Sequence, residues 1–212
     1  MLNNAKVRVS TLVVLAAALV LALFITMNPM GSVGASPTDQ APVDLGTAAN
    51  FAVLGGAGVT CTESAVTGVV GSLLTVTQTP TCTIEGTIHQ GDAVATQAFA
   101  DFLVAYAALA ARPCAPANNL TGQELGGMTL APGVYCFNTT AALTTGQLTL
   151  NGPSDGVWIF QIGTGITTGT ASVVMAGGGQ PSNVFWQAGT AATIGDSTAF
   201  QGNILGNYPL TV

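Results

Sequence analysis

Three consecutive segments in the second half of the chain align with one another, and this repetition constrains the fold more than any other feature. They are Val134–Leu150 (VYCFNTTAALTTGQLTL), Val157–Met175 (VWIFQIGTGITTGTASVVM) and Val184–Phe200 (VFWQAGTAATIGDSTAF). Each reads as an aromatic strand, a Thr-rich strand, a glycine and a third short strand. The segments share the cores Ala141–Gly146, Thr164–Gly169 and Thr190–Gly195, so the alignment places Ala141, Thr164 and Thr190 in equivalent positions. A repeat of roughly 20–30 residues with three short strands per unit predicts a parallel β-solenoid, in which each repeat is one coil. Equivalent strands then stack about 4.8 Å apart. The alignment predicts two inward files, Leu143/Ile166/Ala192 and Phe137/Phe160/Trp186. It predicts two outward ones, Thr144/Thr167/Thr193 and Thr164/Thr190 with Ala141 in the first coil. The tail Gly202–Val212 begins a fourth coil and stops, which leaves an open edge and the expectation of a C-terminally incomplete domain.

Upstream, Asp44–His89 is rich in Gly, Thr and Val. It reads as short strands broken by glycines, with Phe51–Leu54, Val66–Val70 and Thr83–Ile88 as examples. Residues 92–112 (DAVATQAFADFLVAYAALAAR) lack Gly and Pro and are rich in Ala. Val94, Ala98, Phe102, Ala105 and Leu109 form a stripe at helical spacing, widened by Phe99, Leu103 and Tyr106. Asp92 is placed to cap the N-terminus, Arg112 to sit in the last turn, and Pro113 to stop the helix. The expected role of this helix is to cover an apolar strand surface.

The first 35 residues differ in kind. Lys6 and Arg8 precede an apolar run from Val9 to Ile25, and small residues lead to Val33-Gly34-Ala35. This layout predicts a secretory signal peptide, residues 1–35, with Ser36 as the first mature residue. An uncleaved membrane anchor is the alternative, and it is the only route to a membrane. Residues 36–43 read as a Pro-containing linker and 44–212 as one domain. Beyond the leader, Arg112 is the sole Lys or Arg against all nine carboxylates of the chain. Nucleic acid is excluded as a partner, because neutralising phosphate needs clustered Lys and Arg. The positive mean hydropathy, +0.56, argues against disorder. Cys61, Cys82, Cys114 and Cys136, an even number in an exported chain, read as two disulfides. Three pairings are possible. The near-neighbour one, Cys61–Cys82 and Cys114–Cys136, closes two short loops and is the preferred reading. Each bridge would contribute about 3 kcal/mol. No zinc-type spacing is present and His89 is the sole histidine, so no metal or cofactor is expected.

Ordered motifs carry a resemblance to a known family. Leu45–Leu54 (LGTAANFAVL), Val66–Gly71 (VTGVVG) and Gly86–His89 (GTIH) run into the Ala-rich helix. Leu120–Gly127 (LTGQELGG), Thr129–Phe137 (TLAPGVYCF), Trp158–Ile162 (WIFQI), Asn183–Gln187 (NVFWQ) and Phe200–Leu205 (FQGNIL) follow. Over residues 44–212 the chain resembles the microbial secreted ice-binding proteins. That resemblance implies a mostly β fold: a right-handed, discontinuous, roughly triangular parallel β-helix with one long α-helix alongside. It also implies a disulfide corresponding to Cys114–Cys136 and an ice crystal surface as partner.

Ice is an uncharged lattice, so holding it calls for a flat, rigid surface with little charge. Threonine offers a methyl and a hydroxyl on a side chain stiff at χ1, which limits the entropy lost on binding. Thr164–Thr167 (TGIT) and Thr190–Thr193 (TAAT) fit a Thr-(Ala/Gly)-x-Thr pattern found on ice-binding faces in that family. Thr144, Thr164, Thr167, Thr190 and Thr193 are therefore the candidate site, with a face carrying Thr149, Ser172 and Thr198 as the alternative. Catalysis is not expected. Glu63, Glu85, Glu124, Asp155 and Asp196 are scattered among turns rather than paired across a cleft. His89 reads as structural. A cell-surface adhesion or carbohydrate-binding module, with Trp158, Trp186 or Tyr208 stacking on sugars, is the rival function. A purely structural surface protein is a third reading.

Overall fold

The computed structural model describes residues 41–63, 65–190, 192–195, 198–206 and 210–211. The expected leader, residues 36–40 of the linker, Asp196 and Tyr208 lie outside them. The described chain is a parallel β-solenoid in two stacks, with one α-helix alongside. The first stack comprises β1 (Phe51–Gly55), β2 (Gly58–Cys61), β3 (Ala65–Thr67), β4 (Val69–Ser72), β5 (Thr75–Gln78), β6 (Thr83–Glu85) and β7 (Ile88–Gln90). Its strands pair as β1-β4-β7, β2-β5 and β3-β6, all parallel. Gly58 pairs with Thr75 and Ala65 with Thr83, so the coils here are short. The expected strands Val66–Val70 and Thr83–Ile88 each break in two at a glycine. Gly68 has φ +125°, and a Cβ on Gly86 would lie 2.0 Å from the Gly68 carbonyl oxygen, so two stacked glycines turn this corner.

After the helix come β8 (Thr129–Leu130), β9 (Gly133–Phe137), β10 (Ala141–Asn151), β11 (Trp158–Ile162), β12 (Ile166–Ala176), β13 (Val184–Ala188), β14 (Ala192–Thr193), β15 (Asn203–Gly206) and β16 (Leu210–Thr211). Sheet β15-β13-β11-β9 lies beside the helix, and sheet β16-β14-β12-β10-β8 completes the coils. Trp158 pairs with Gly133 below and Val184 above, so these coils are longer than those of the first stack. In the first of them the register differs by two residues from the alignment on the Thr-Thr-Gly triplets: Ala141 pairs with Ile166, not with Thr164. The inward files are Ala141/Ile166/Ala192 and Tyr135/Phe160/Trp186, not those headed by Leu143 and Phe137. A two-residue slip keeps each side chain on its face, so Leu143 and Phe137 are still fully buried, opposite Thr168 and Ile162.

The aromatic file sets this register. Ring centroids are 5.6 Å apart for Tyr135–Phe160 and 3.8 Å for Phe160–Trp186. Each polar tip finds a carbonyl: Tyr135 Oη donates to Ala131, Trp158 Nε1 to Leu130 and Trp186 Nε1 to Gln201. On the other side of the same sheet, Val134, Ile159, Phe185 and Leu205 pack against Ala105 and Leu109 of the helix. This sheet is buried on both faces, which is why its strands read as unbroken apolar runs.

The helix, α1, spans Ala93–Ala110. Asp92 caps it, its Oδ1 accepting from Ala95 N–H at 2.8 Å. Ala98, Phe102, Ala105 and Leu109 lie on the packed stripe as expected, with Phe99 and Tyr106 half-buried. Val94 and Leu103 do not; they are 48% and 46% exposed. Ala95 takes the place expected of Val94, and small alanines bring the helix axis close to the strands. Arg112 lies beyond the last turn, where its Nη2 donates to the Ala41 carbonyl at 3.2 Å. The helix C-terminus is instead served by Gln161, whose Nε2 donates to the carbonyls of Leu109 and Arg112 at 2.8 and 2.7 Å. Val43 is buried against the same cluster, so the chain is already packed at the end of the expected linker. Both near-neighbour disulfides, Cys61–Cys82 and Cys114–Cys136, are formed.

Candidate functional site

The side of interest is the first leg of β10 and β12, together with β14. Ala141, Leu143, Ile166, Thr168 and Ala192 point inward and are buried, so the residues between them point outward. Register places Ala142, Thr167 and Thr193 in one outward column, and Thr211 follows in the backbone ladder. Thr167 and Thr193 are exposed. At the corner before these strands a second column forms from Thr139, Thr164 and Thr190, all exposed. Thr190 N–H donates to the Thr164 carbonyl at 2.8 Å, and Thr164 N–H to that of Thr139 at 3.4 Å. The hydroxyls of Thr140 and Thr164 lie 3.0 Å apart. Thr164, Thr167, Thr190 and Thr193 thus stand as two columns by two coils, as the sequence alignment placed them.

Beyond the Thr167 column the next outward positions are Gly169 and Gly195. A Cβ on Gly169 would come within 2.4 Å of the Thr144 carbonyl oxygen, and one on Gly195 within 2.9 Å of that of Thr168. These glycines let the coils close on each other, and at their two positions no side chain rises beside Thr167 and Thr193. Strand pairing fixes the spacing between coils, and β-branched side chains fix the direction of each hydroxyl and methyl.

Thr144 is not in the column expected of it. It stands two residues farther along, level with Gly169, and Ala142 occupies the place below Thr167. Its N–H and hydroxyl both donate to Glu124, at 2.8 Å to Oε1 and 2.8 Å to Oε2. Burial pushes the Glu124 carboxyl up. The bonds from the Thr144 hydroxyl and N–H, with the Gly126 and Thr145 amides, outweigh it and hold the carboxyl below its ordinary range. Thr139 completes the corner column and was missed from sequence. The aromatic strands and the Thr-Thr-Gly triplets align by side-chain identity at the same offset, two residues short of the one the backbone uses, so neither motif points to Thr139.

The alternative side does not assemble as a file. Register there runs Gln147–Ser172–Ala199 and Thr129–Thr149–Val174. Thr198 turns its hydroxyl to Thr168 and to the Gly169 carbonyl. Trp158 and Trp186 are fully buried in the solenoid and offer no ring to a sugar. His89 lies 2.7 Å from Asp92 at the start of the helix. Among the described residues no group of three His, Cys, Asp or Glu side chains is placed to hold a metal ion.

Comparison with known proteins gives a consistent result. A family model described as Ice-binding-like matches residues 31–212. An ice-binding protein of Nostoc sp. (strain HG1) is 44% identical over 173 residues, covering 79% of this chain and 63% of its own. One from Flavobacterium frigoris (strain PS1) is 37% identical over 184 residues, covering 77% and 64%. The chain therefore spans just under two thirds of the length of these relatives. Among solved structures, the ice-binding protein of the Antarctic ascomycete Antarctomyces psychrotrophicus superposes with a TM-score of 0.73 at 34% identity. The match covers 80% of this chain and 85% of that one.

Proposed function

Because the chain belongs to the Ice-binding-like family, we propose that it is an exported, non-catalytic ice-binding protein. It adsorbs to ice crystals through Thr164, Thr167, Thr190 and Thr193, with Thr144, expected in the same column, lying outside the contact, and so restrains ice growth and recrystallisation. The observation that carries this reading is the pair of threonine columns on adjacent coils, beside a glycine flank. The grid bears no charge, it is held by paired strands, and it loses little entropy on contact because its rotamers are already restricted. The hydroxyls can take positions in a water lattice while the methyls exclude mobile water between them. Residues 1–35 serve as the export leader in this reading.

The test is thermal hysteresis and inhibition of ice recrystallisation by the exported, oxidised chain. Thr167→Tyr and Thr193→Tyr each place a bulky ring on the grid and should abolish both activities with the melting temperature unchanged. Val174→Tyr, on the other leg of the coil, should leave them intact. Full activity in both threonine variants would move the contact surface elsewhere. A folded wild-type chain without either activity would leave an adhesion or glycan-binding role on the same scaffold, to be measured by binding to polysaccharides.

A further inference from the structure

The lower end of the threonine grid is closed by a carboxylate, that of Glu124. Glu124 forms a parallel bridge with Ala142, which is itself in register with Thr167 and Thr193. Leu125 N–H donates to the Ala142 carbonyl at 2.9 Å, and Leu125 is fully buried. Successive residues of a strand alternate faces, so Glu124 points outward on the side that carries the threonines. Its two oxygens take the Thr144 N–H, the Thr144 hydroxyl and, at 3.2 Å, the Gly126 N–H.

On the ice-binding reading, we infer that Glu124 is a positioning residue that ties down the first part of β10 beneath the threonine grid and takes the Thr144 hydroxyl out of ice contact. Two physical consequences support this. A carboxylate accepting two bonds from one residue fixes that residue more firmly than a neutral acceptor would. The first leg of β10 is the row on which the rows of β12 and β14 are stacked, so its flatness is passed upward through the ladder. The hydroxyl hydrogen of Thr144 is already engaged by Oε2, and an ionised group keeps its own hydration, which an uncharged lattice does not match. The adsorbing surface thus stops at Ala142 rather than extending to the coil below.

Three variants of the full chain test this, with thermal hysteresis and amide hydrogen exchange at Thr144 as readouts. Glu124→Ala should lower hysteresis several-fold and speed exchange at Thr144, with a small change in melting temperature. Glu124→Gln keeps an oxygen for the Thr144 N–H and should restore most of both. Thr144→Val, which leaves the backbone bond in place, should retain most of the hysteresis. Wild-type hysteresis in Glu124→Ala, or a loss in Thr144→Val as deep as that in Thr167→Tyr, overturns the inference. If Thr167→Tyr and Thr193→Tyr are themselves fully active, the ice-contact reading fails first, and this inference fails with it.

Discussion

At the residue scale, three carboxylates hold local structure together, each through hydrogen bonds to its ionised form. Asp92 is held below its ordinary range by the Ala95 N–H at the helix cap and by His89. Asp101 is held down by the Thr47 hydroxyl and N–H, at 2.6 and 2.7 Å, and by Gln97. Glu124 is held down by Thr144 and its neighbours. A carboxyl with a depressed folded pKa stabilises the fold above its unfolded value, roughly 4, and loses that contribution as pH falls through the folded value. The melting temperature should therefore stay level from neutrality to about pH 5 and begin to fall below pH ~4. Asp92→Ala should lower the plateau and make the acid limb shallower. Melting curves at stepped pH check both; an acid limb identical to wild type would show that the cap bond carries no pH dependence.

At the scale of elements, the sheet between core and helix is the part that most needs its side chains. Trp186 is fully buried, stacks on Phe160 and touches Phe200, so Trp186→Ala should cost about 3–5 kcal/mol in urea unfolding. A loss under ~1 kcal/mol would mean that the file repacks. The helix and the aromatic strands were legible in the sequence because each has a clear period, whereas the Thr-rich strand and the third short strand expected after its glycine run on as one strand in β10 (Ala141–Asn151) and β12 (Ile166–Ala176). The Gly-free, Ala-rich run gives α1, and the aromatic runs give β9, β11 and β13. Register was not legible. Gly146 and Gly169 end matching Thr-Thr-Gly triplets, but the backbone pairs Gly146 with Ala171, and the same offset holds from Gly133–Trp158 through the Thr139 corner to Asn151–Ala176. Pattern matching follows side-chain identity, whereas stacking follows which rings and small residues fit above one another. The same limit explains Val94 and Leu103: helical period finds a stripe, but which neighbouring residue faces the sheet depends on how close the helix can approach. Of the candidate site, the pairs Thr164/Thr190 and Thr167/Thr193 were readable, because Thr-x-x-Thr survives a uniform offset. Thr139 and the engagement of Thr144 by Glu124 depend on the coil below and were not.

At the scale of the whole molecule, coils of two sizes share one helix. A short turn of the first stack brings Gly58 to Thr75, whereas a long turn of the second brings Gly133 to Trp158. Each disulfide stays local: Cys61–Cys82 joins neighbouring coils of the first stack, and Cys114–Cys136 joins the segment after the helix to β9. After Cys136 the described coils are therefore a thread without a covalent loop, wound like line on a spool. Pulled from its C-terminal end, such a spool should unwind one turn at a time. A long turn holds about 85 Å of contour, at roughly 3.3–3.6 Å per residue. Single-molecule force spectroscopy should show steps of about that length for successive turns. One long release would mean that the turns yield together. Shortening of the record on oxidation should come only from turns before Cys136, so the tail's sawtooth should be the same with and without reductant.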